Sequence, residues 1–282
     1  RDVDPQPLST VTVYVLVPAL VFHSLMNSEV SGAEGTRVVV ASVAITLVMW
    51  GVSEAVFGFL SPRDGRNALV LSSTFPNTAN YGIPLSVFAF PSVGRTTAVL
   101  YVIGSTFVIY TLGVYVSSKS SGARRALRRV FELPLFYAMV AALALSATGV
   151  ELPGSTTETL GLVGNSSIPV MLVILGLQLE RTNPSGDVLN VEIGVVNFLR
   201  LVTAPLAALP VVVLLGFTDP DVARVVVLES SMPAAVTTVL LSVEFGEEKD
   251  ADYASASVLT TTLLSTLTVT ALVAVLRSGV VI

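Results

Sequence analysis

Two carboxamides, Asn77 and Asn80, stand inside Phe75-Pro76-Asn77-Thr78-Ala79-Asn80-Tyr81-Gly82-Ile83-Pro84, an apolar stretch long enough to cross a bilayer but cut by prolines. An amide side chain can donate to a carboxylate, or accept from a hydrated ion, without the cost of burying a charge. Proline removes a backbone N–H and blocks the preceding turn, so nearby carbonyls and amides lose their helical partners at a depth where lipid supplies none. Such a cut persists where protein, water or a solute provides partners. A second cut, Glu229-Ser230-Ser231-Met232-Pro233, brings two small hydroxyls and a carboxylate. The expected solute-binding set is therefore Asn77, Asn80, Pro84, Ser230, Ser231 and Pro233. Helix halves restarting near Pro84 and Pro233 turn their positive ends toward the crossing, which favours an anion. The structural alternatives are capping of broken ends by the asparagines and back-bonding of the serines to their own helix.

Four further side chains are candidates for coupling or gating. Glu229 beside the second cut must be paired, protonated or bound to a cation, which suits a coupling ion, H+ or Na+. Arg200 lies mid-span and needs a partner: an anionic substrate is one, and Glu54, near the equivalent place in the other half, is the other. His23, the only histidine, stands four residues before Asn27 on one face of the first span, where it faces the solute path or packs between helices. Asn165 and Gln178 read as helix-to-helix hydrogen bonds, and Thr260-Thr261-Thr262 as tight helix packing.

These residues must be held by membrane helices. Of the 282 residues 52% are hydrophobic and 12% charged, about half the charged share of a soluble domain. Apolar runs near the length of a spanning helix occupy 8–26, 36–60, 67–90, 95–117, 133–149, 157–179, 188–215, 220–244 and 250–276. The fold class is an all-α membrane protein with nine spans. Lys and Arg flanking alternate ends number ten on one side, five of them between Lys119 and Arg129, against four on the other; the richer side is expected to be cytoplasmic. The chain has no cysteine, which excludes disulfides and thiolate chemistry.

The halves repeat. Pro18 and Pro169 recur with the same period of about 150 residues as the two cuts, and five spans, an odd number, separate equivalent helices, so the repeat is inverted. Residues 1–117 form the first repeat, 118–132 a basic loop and 133–282 the second repeat. The second has a leading helix, 133–149, without a counterpart after Arg1. One N-terminal spanning helix is therefore expected before Arg1, giving ten in a five-plus-five arrangement.

Leu16-Val17-Pro18-Ala19-Leu20-Val21-Phe22, Asn77 to Leu85, Ile174-Leu175-Gly176-Leu177-Gln178-Leu179 and Ser230 to Ala235 resemble the auxin efflux carrier family, whose fold is similar to that of the bile acid/sodium symporters. The resemblance implies two discontinuous helices crossing inside a transport domain, 36–117 plus 188–276. That domain would move like an elevator against a scaffold, 8–26 plus 133–179, which would also be the surface of a homodimer. It implies small organic anions as substrates, indole-3-acetate in plants and dicarboxylates such as malate in bacteria. A long central loop like that of the plant members is lacking.

The expected function is secondary active efflux or exchange of a small organic anion in the cell membrane, with the lipid bilayer as surroundings. The alternatives are a sodium-coupled symporter and a membrane sensor or receptor. No nucleotide-binding Walker loop, metal-ligand cluster or Ser-His pairing suggests an ATPase or an enzyme. No cofactor and no nucleic acid are expected.

Overall fold

A computed structural model describes residues 5–28, 30, 32–60, 62, 64–113, 116, 133–148, 150, 152–181, 190–245 and 249–280. The basic loop 118–132 and the side chain of Gln178 lie outside the described residues.

The described chain is helical almost throughout. Helices α1 (Pro5–Met26), α2 (Gly32–Leu60), α5 (Gly94–Gly113), α8 (Val191–Leu215) and α11 (Asp250–Arg277) are each long and apolar enough to cross a membrane, as is α7 (Gly154–Arg181) through Leu177. Helix α6 (Pro134–Thr148) is shorter. The remaining two apolar runs are each cut in two. The first consists of α3 (Arg66–Thr74) and α4, which begins as a π-helical turn at Thr78–Gly82 and continues as Ile83–Ala89. The second consists of α9 (Pro220–Ser230) and α10 (Thr237–Phe245). The order of two long helices, a cut pair and another long helix thus occurs twice, with α6 between the two sets. Large apolar side chains such as Phe59, 90% exposed, and Leu214, 84% exposed, point outward. This multi-pass membrane protein offers them lipid in place of water.

Proline placement explains three local widenings of the helices. π-helical turns at Thr12–Leu16, Thr78–Gly82 and Leu199–Thr203 each end two residues before a proline: Pro18, Pro84 and Pro205. A proline cannot donate to the carbonyl four residues back, and its ring crowds that carbonyl. The residue just before each proline reaches five residues back instead: Val17 to the Thr12 carbonyl, Ile83 to Thr78 and Ala204 to Leu199. The wider turn makes room for the ring and rotates the following side chains.

Helix α1 packs on α6 and α7, and α2 packs on α3, α5, α8 and α9. The α1–α7 approach depends on Gly164, where a Cβ would come within 2.8 Å of the Leu20 backbone. The largest apolar cluster joins α2 and α5 to α8, α9 and α11. A smaller one, Leu71, Phe75, Val108, Ile109, Ala235 and Leu241, lies around the two cuts.

Candidate functional site

The two cuts meet. After Thr74 the chain becomes extended at Phe75 (φ −99°, ψ 115°), and Pro76 forms an antiparallel bridge with Ala234. The Asn77 N–H donates to the Pro233 carbonyl at 2.7 Å, and the Ala235 N–H donates to the Phe75 carbonyl at 2.9 Å. Pro76 sits between these bonds, at the position that makes no ladder hydrogen bond, so its missing N–H costs nothing there. The Ala234 N–H donates to the Thr261 hydroxyl at 3.0 Å. Backbone groups freed from the helices are therefore matched by protein, as membrane depth requires.

Arg200 completes this matching. It is fully buried on the π-helical turn of α8. Its Nη1 donates to the carbonyls of Ser73, at 3.1 Å, and Thr74, at 2.8 Å. Its Nε donates to the Met232 carbonyl at 3.1 Å, and its Nη2 to the Ser230 carbonyl. The last carbonyls of a helix lack intrahelical donors and carry partial negative charge. One guanidinium thus caps the ends of α3 and α9 together. The expected ion pair with Glu54 does not form: Glu54 accepts from Arg66 Nη2 at 2.6 Å, near the protein surface. No carboxylate pairs with Arg200 among the described residues. Sequence shows which side chains are charged, but not which carbonyls a cut leaves free.

Glu229, the penultimate residue of α9, is fully buried. Its Oε1 accepts from the Ser86 hydroxyl of α4 at 2.7 Å, while Oε2 has no partner among the described residues. A Cβ on Gly82 would lie 2.2 Å from that oxygen, so a glycine is needed for the carboxylate to lie against α4.

Above the bridge lies a cavity of about 90 Å³ lined by Phe75 to Asn80, Ser105, Thr106, Ile109 and Ala235 to Thr237. A second recess of about 290 Å³ shares Asn80, Val236 and Thr237 with it and extends to α1 and Ile174 of α7. Asn77 is 5% exposed, and its Nδ2 has no partner among the described residues. Asn80 is half-buried and borders both spaces.

The other expected site residues fall elsewhere. The Ser230 and Ser231 hydroxyls donate back to the carbonyls of Val227 and Leu228, each at 2.6 Å, and neither residue lines the cavity. Pro233 contributes its carbonyl to the bridge, and Pro84 is buried in α4. His23 packs over Gly161 of α7, where a Cβ would lie 2.8 Å from Nε2. Ser105, Thr106 and Thr237 were not anticipated as lining, nor Thr261 as the acceptor at Ala234. Short polar residues in an apolar run were the available signal, one shared by ordinary packing. Among the described residues no cluster of His, Asp and Glu could hold a metal ion.

Residues 4–273 match the model of a family described as membrane transport protein. The chain is 26% identical over 265 residues to an uncharacterized transporter of Methanothermobacter thermautotrophicus, covering 93% of this chain and 86% of that one. It is 23% identical to an uncharacterized transporter of Methanocaldococcus jannaschii, with the same coverage of each chain. A protein of Rhizobium meliloti provisionally named a malonate transporter is 24% identical over 96% of this chain and 87% of its own.

Proposed function

The chain belongs to the membrane transport protein family, the auxin efflux carrier-like group its motifs resemble, and from that premise we propose that it is a secondary active transporter of a small organic anion. The observation that carries this reading is the Asn77 amide. Where backbone groups around the bridge find partners within the protein, Nδ2 is left without one among the described residues, and Asn77 lines a cavity. A carboxylate is a fitting acceptor for that donor, and Asn80 offers a second contact. A cavity of about 90 Å³ favours a compact ligand. The name of the Rhizobium relative favours a short dicarboxylate.

Movement is of the elevator type in this proposal. Helices α1, α6 and α7 form the scaffold and the remaining helices the moving part. The mutual packing of α1 with α6 and α7 supports the division. The recess between α10, α1 and α7 is then the entry along which the solute changes sides. Glu229 is the coupling carboxylate, its Oε2 taking up and releasing a proton.

The test is reconstitution of the protein in liposomes, with labelled malonate inside and mono- and dicarboxylates as competitors outside, under imposed proton and sodium gradients. Saturable, competed exchange is expected. For Glu229→Gln, exchange persists while proton-driven accumulation is lost. Binding of the anion without any exchange or gradient-driven flux would favour the sensor reading and count against transport.

A further inference from the structure

We propose that Arg200 is a positioning residue that acts as a resident cation, its guanidinium filling a cage of carbonyls built by both cuts and so holding the solute site in shape without a bound metal ion. Unwound backbone carbonyls and the C-terminal ends of half-helices are the groups with which membrane transporters hold coupling cations. Here Ser73 and Thr74 at the end of α3, together with Ser230 and Met232 around the end of α9, supply four such oxygens to a single side chain. The charge is covalently anchored on α8 and fully buried, and among the described residues its partners are carbonyls and not a carboxylate. The flat fork of the guanidinium suits this cage. It sends N–H groups in several fixed directions within one plane, which a compact ammonium does not.

The cage also ties the clamp to the solute. Thr74 stands three residues before Asn77, and Met232 precedes Pro233, whose carbonyl receives the Asn77 N–H. Holding both carbonyl groups fixes the two extended segments in register, and that register sets Asn77 in the cavity wall. Arg200 itself does not line the cavity, so its effect on the solute is exerted through the backbone.

This inference rests on the transport reading for one of its readouts only. The first readout needs no transport: thermal unfolding of the purified full chain in detergent, titrated with millimolar guanidinium, sodium or choline chloride. Wild type is expected to be indifferent to all three. Arg200→Gly is expected to unfold at lower temperature and to regain stability saturably with guanidinium but not with choline. Failure of guanidinium to stabilise folded Arg200→Gly more than wild type would overturn the proposal.

The second readout is flux in liposomes. Wild-type exchange is expected to be equal in sodium and choline, and Arg200→Gly to lose roughly tenfold or more, with partial rescue by guanidinium. Exchange by wild type that requires sodium would overturn the resident-cation role. If Arg200→Gly does not fold, Arg200→Gln decides: wild-type flux from this uncharged variant contradicts the proposal, and loss of flux with unchanged competitor affinity ranking supports it. Absence of flux from wild type would count against transport itself and leave the unfolding measurement to decide the clamp.

Discussion

The two cuts are alike in backbone and opposite in chemistry. Each ends a short helix, runs extended for a few residues beside a proline and pairs with the other across a single bridge. At the first cut Asn77 borders the cavity, and its buried Nδ2 has no partner among the described residues. At the second, both serine hydroxyls turn back onto their own helix. Duplicated backbone therefore does not mean duplicated function. In the proposed reading the first cut presents groups to a solute. The second gives carbonyls to Arg200, and Ala235 to Thr237 form part of the cavity wall.

The sharpest way to break this contrast is to alter the Asn77 amide. Asn77→Asp keeps the size but replaces the donor with an acceptor of like charge to the anion, so exchange flux is expected to fall about a hundredfold, on the order of 3 kcal/mol. Near-wild-type flux would remove Asn77 from the site. Next comes the close approach of the two arms. Gly82→Ala puts a methyl against Glu229 Oε2, where the built Cβ lies 2.2 Å away, and is expected to destabilise the protein by about 1–3 kcal/mol. Unfolding in detergent measures this, and Glu229→Ala in the same chain should recover part of the loss. Thr261→Val removes the acceptor of the Ala234 N–H. The unmatched donor is expected to cost about 1–3 kcal/mol, seen as a lowered unfolding temperature and faster hydrogen exchange at the bridge. Smallest of all, Ser230→Ala and Ser231→Ala should each change flux by less than about twofold, since among the described residues their hydroxyls bond to their own helix. A large loss from either would restore chemical symmetry to the cuts.

Much of this fold was legible because its signals are strong and local. Prolines together with polar residues inside a long apolar run mark both cuts, whereas Pro169 and Pro210 stand within continuous helices, and a repeated pair of cuts marks the duplication. Asn77 and Asn80 stood out as polar residues in such a run, and the structure does place them on a cavity. Arg200 was legible as a costly buried charge, but its partners were not. The sequence suggested a carboxylate, whereas the partners are carbonyls on two segments that become neighbours of α8 only after folding. Repeat position makes Glu54 one of two candidate partners for it, beside an anionic substrate, yet Arg66, across the intervening loop, reaches Glu54 instead. The helix widenings before Pro18, Pro84 and Pro205 have a sequence cause, but proline also permits kinks, so the choice is made by packing.

The bridge between the cuts also has a bearing on biogenesis. Asn77 and Pro233 are about 150 residues apart, and synthesis at about 5–20 residues per second separates their emergence by about 8–30 s. During that interval the Asn77 backbone N–H and the Ser73 and Thr74 carbonyls lack their final partners. Water, lipid headgroups or an insertion chaperone must serve them until α8 and α9 are made. The order of translation thus gives the first half of the duplication a waiting period that the second half never has.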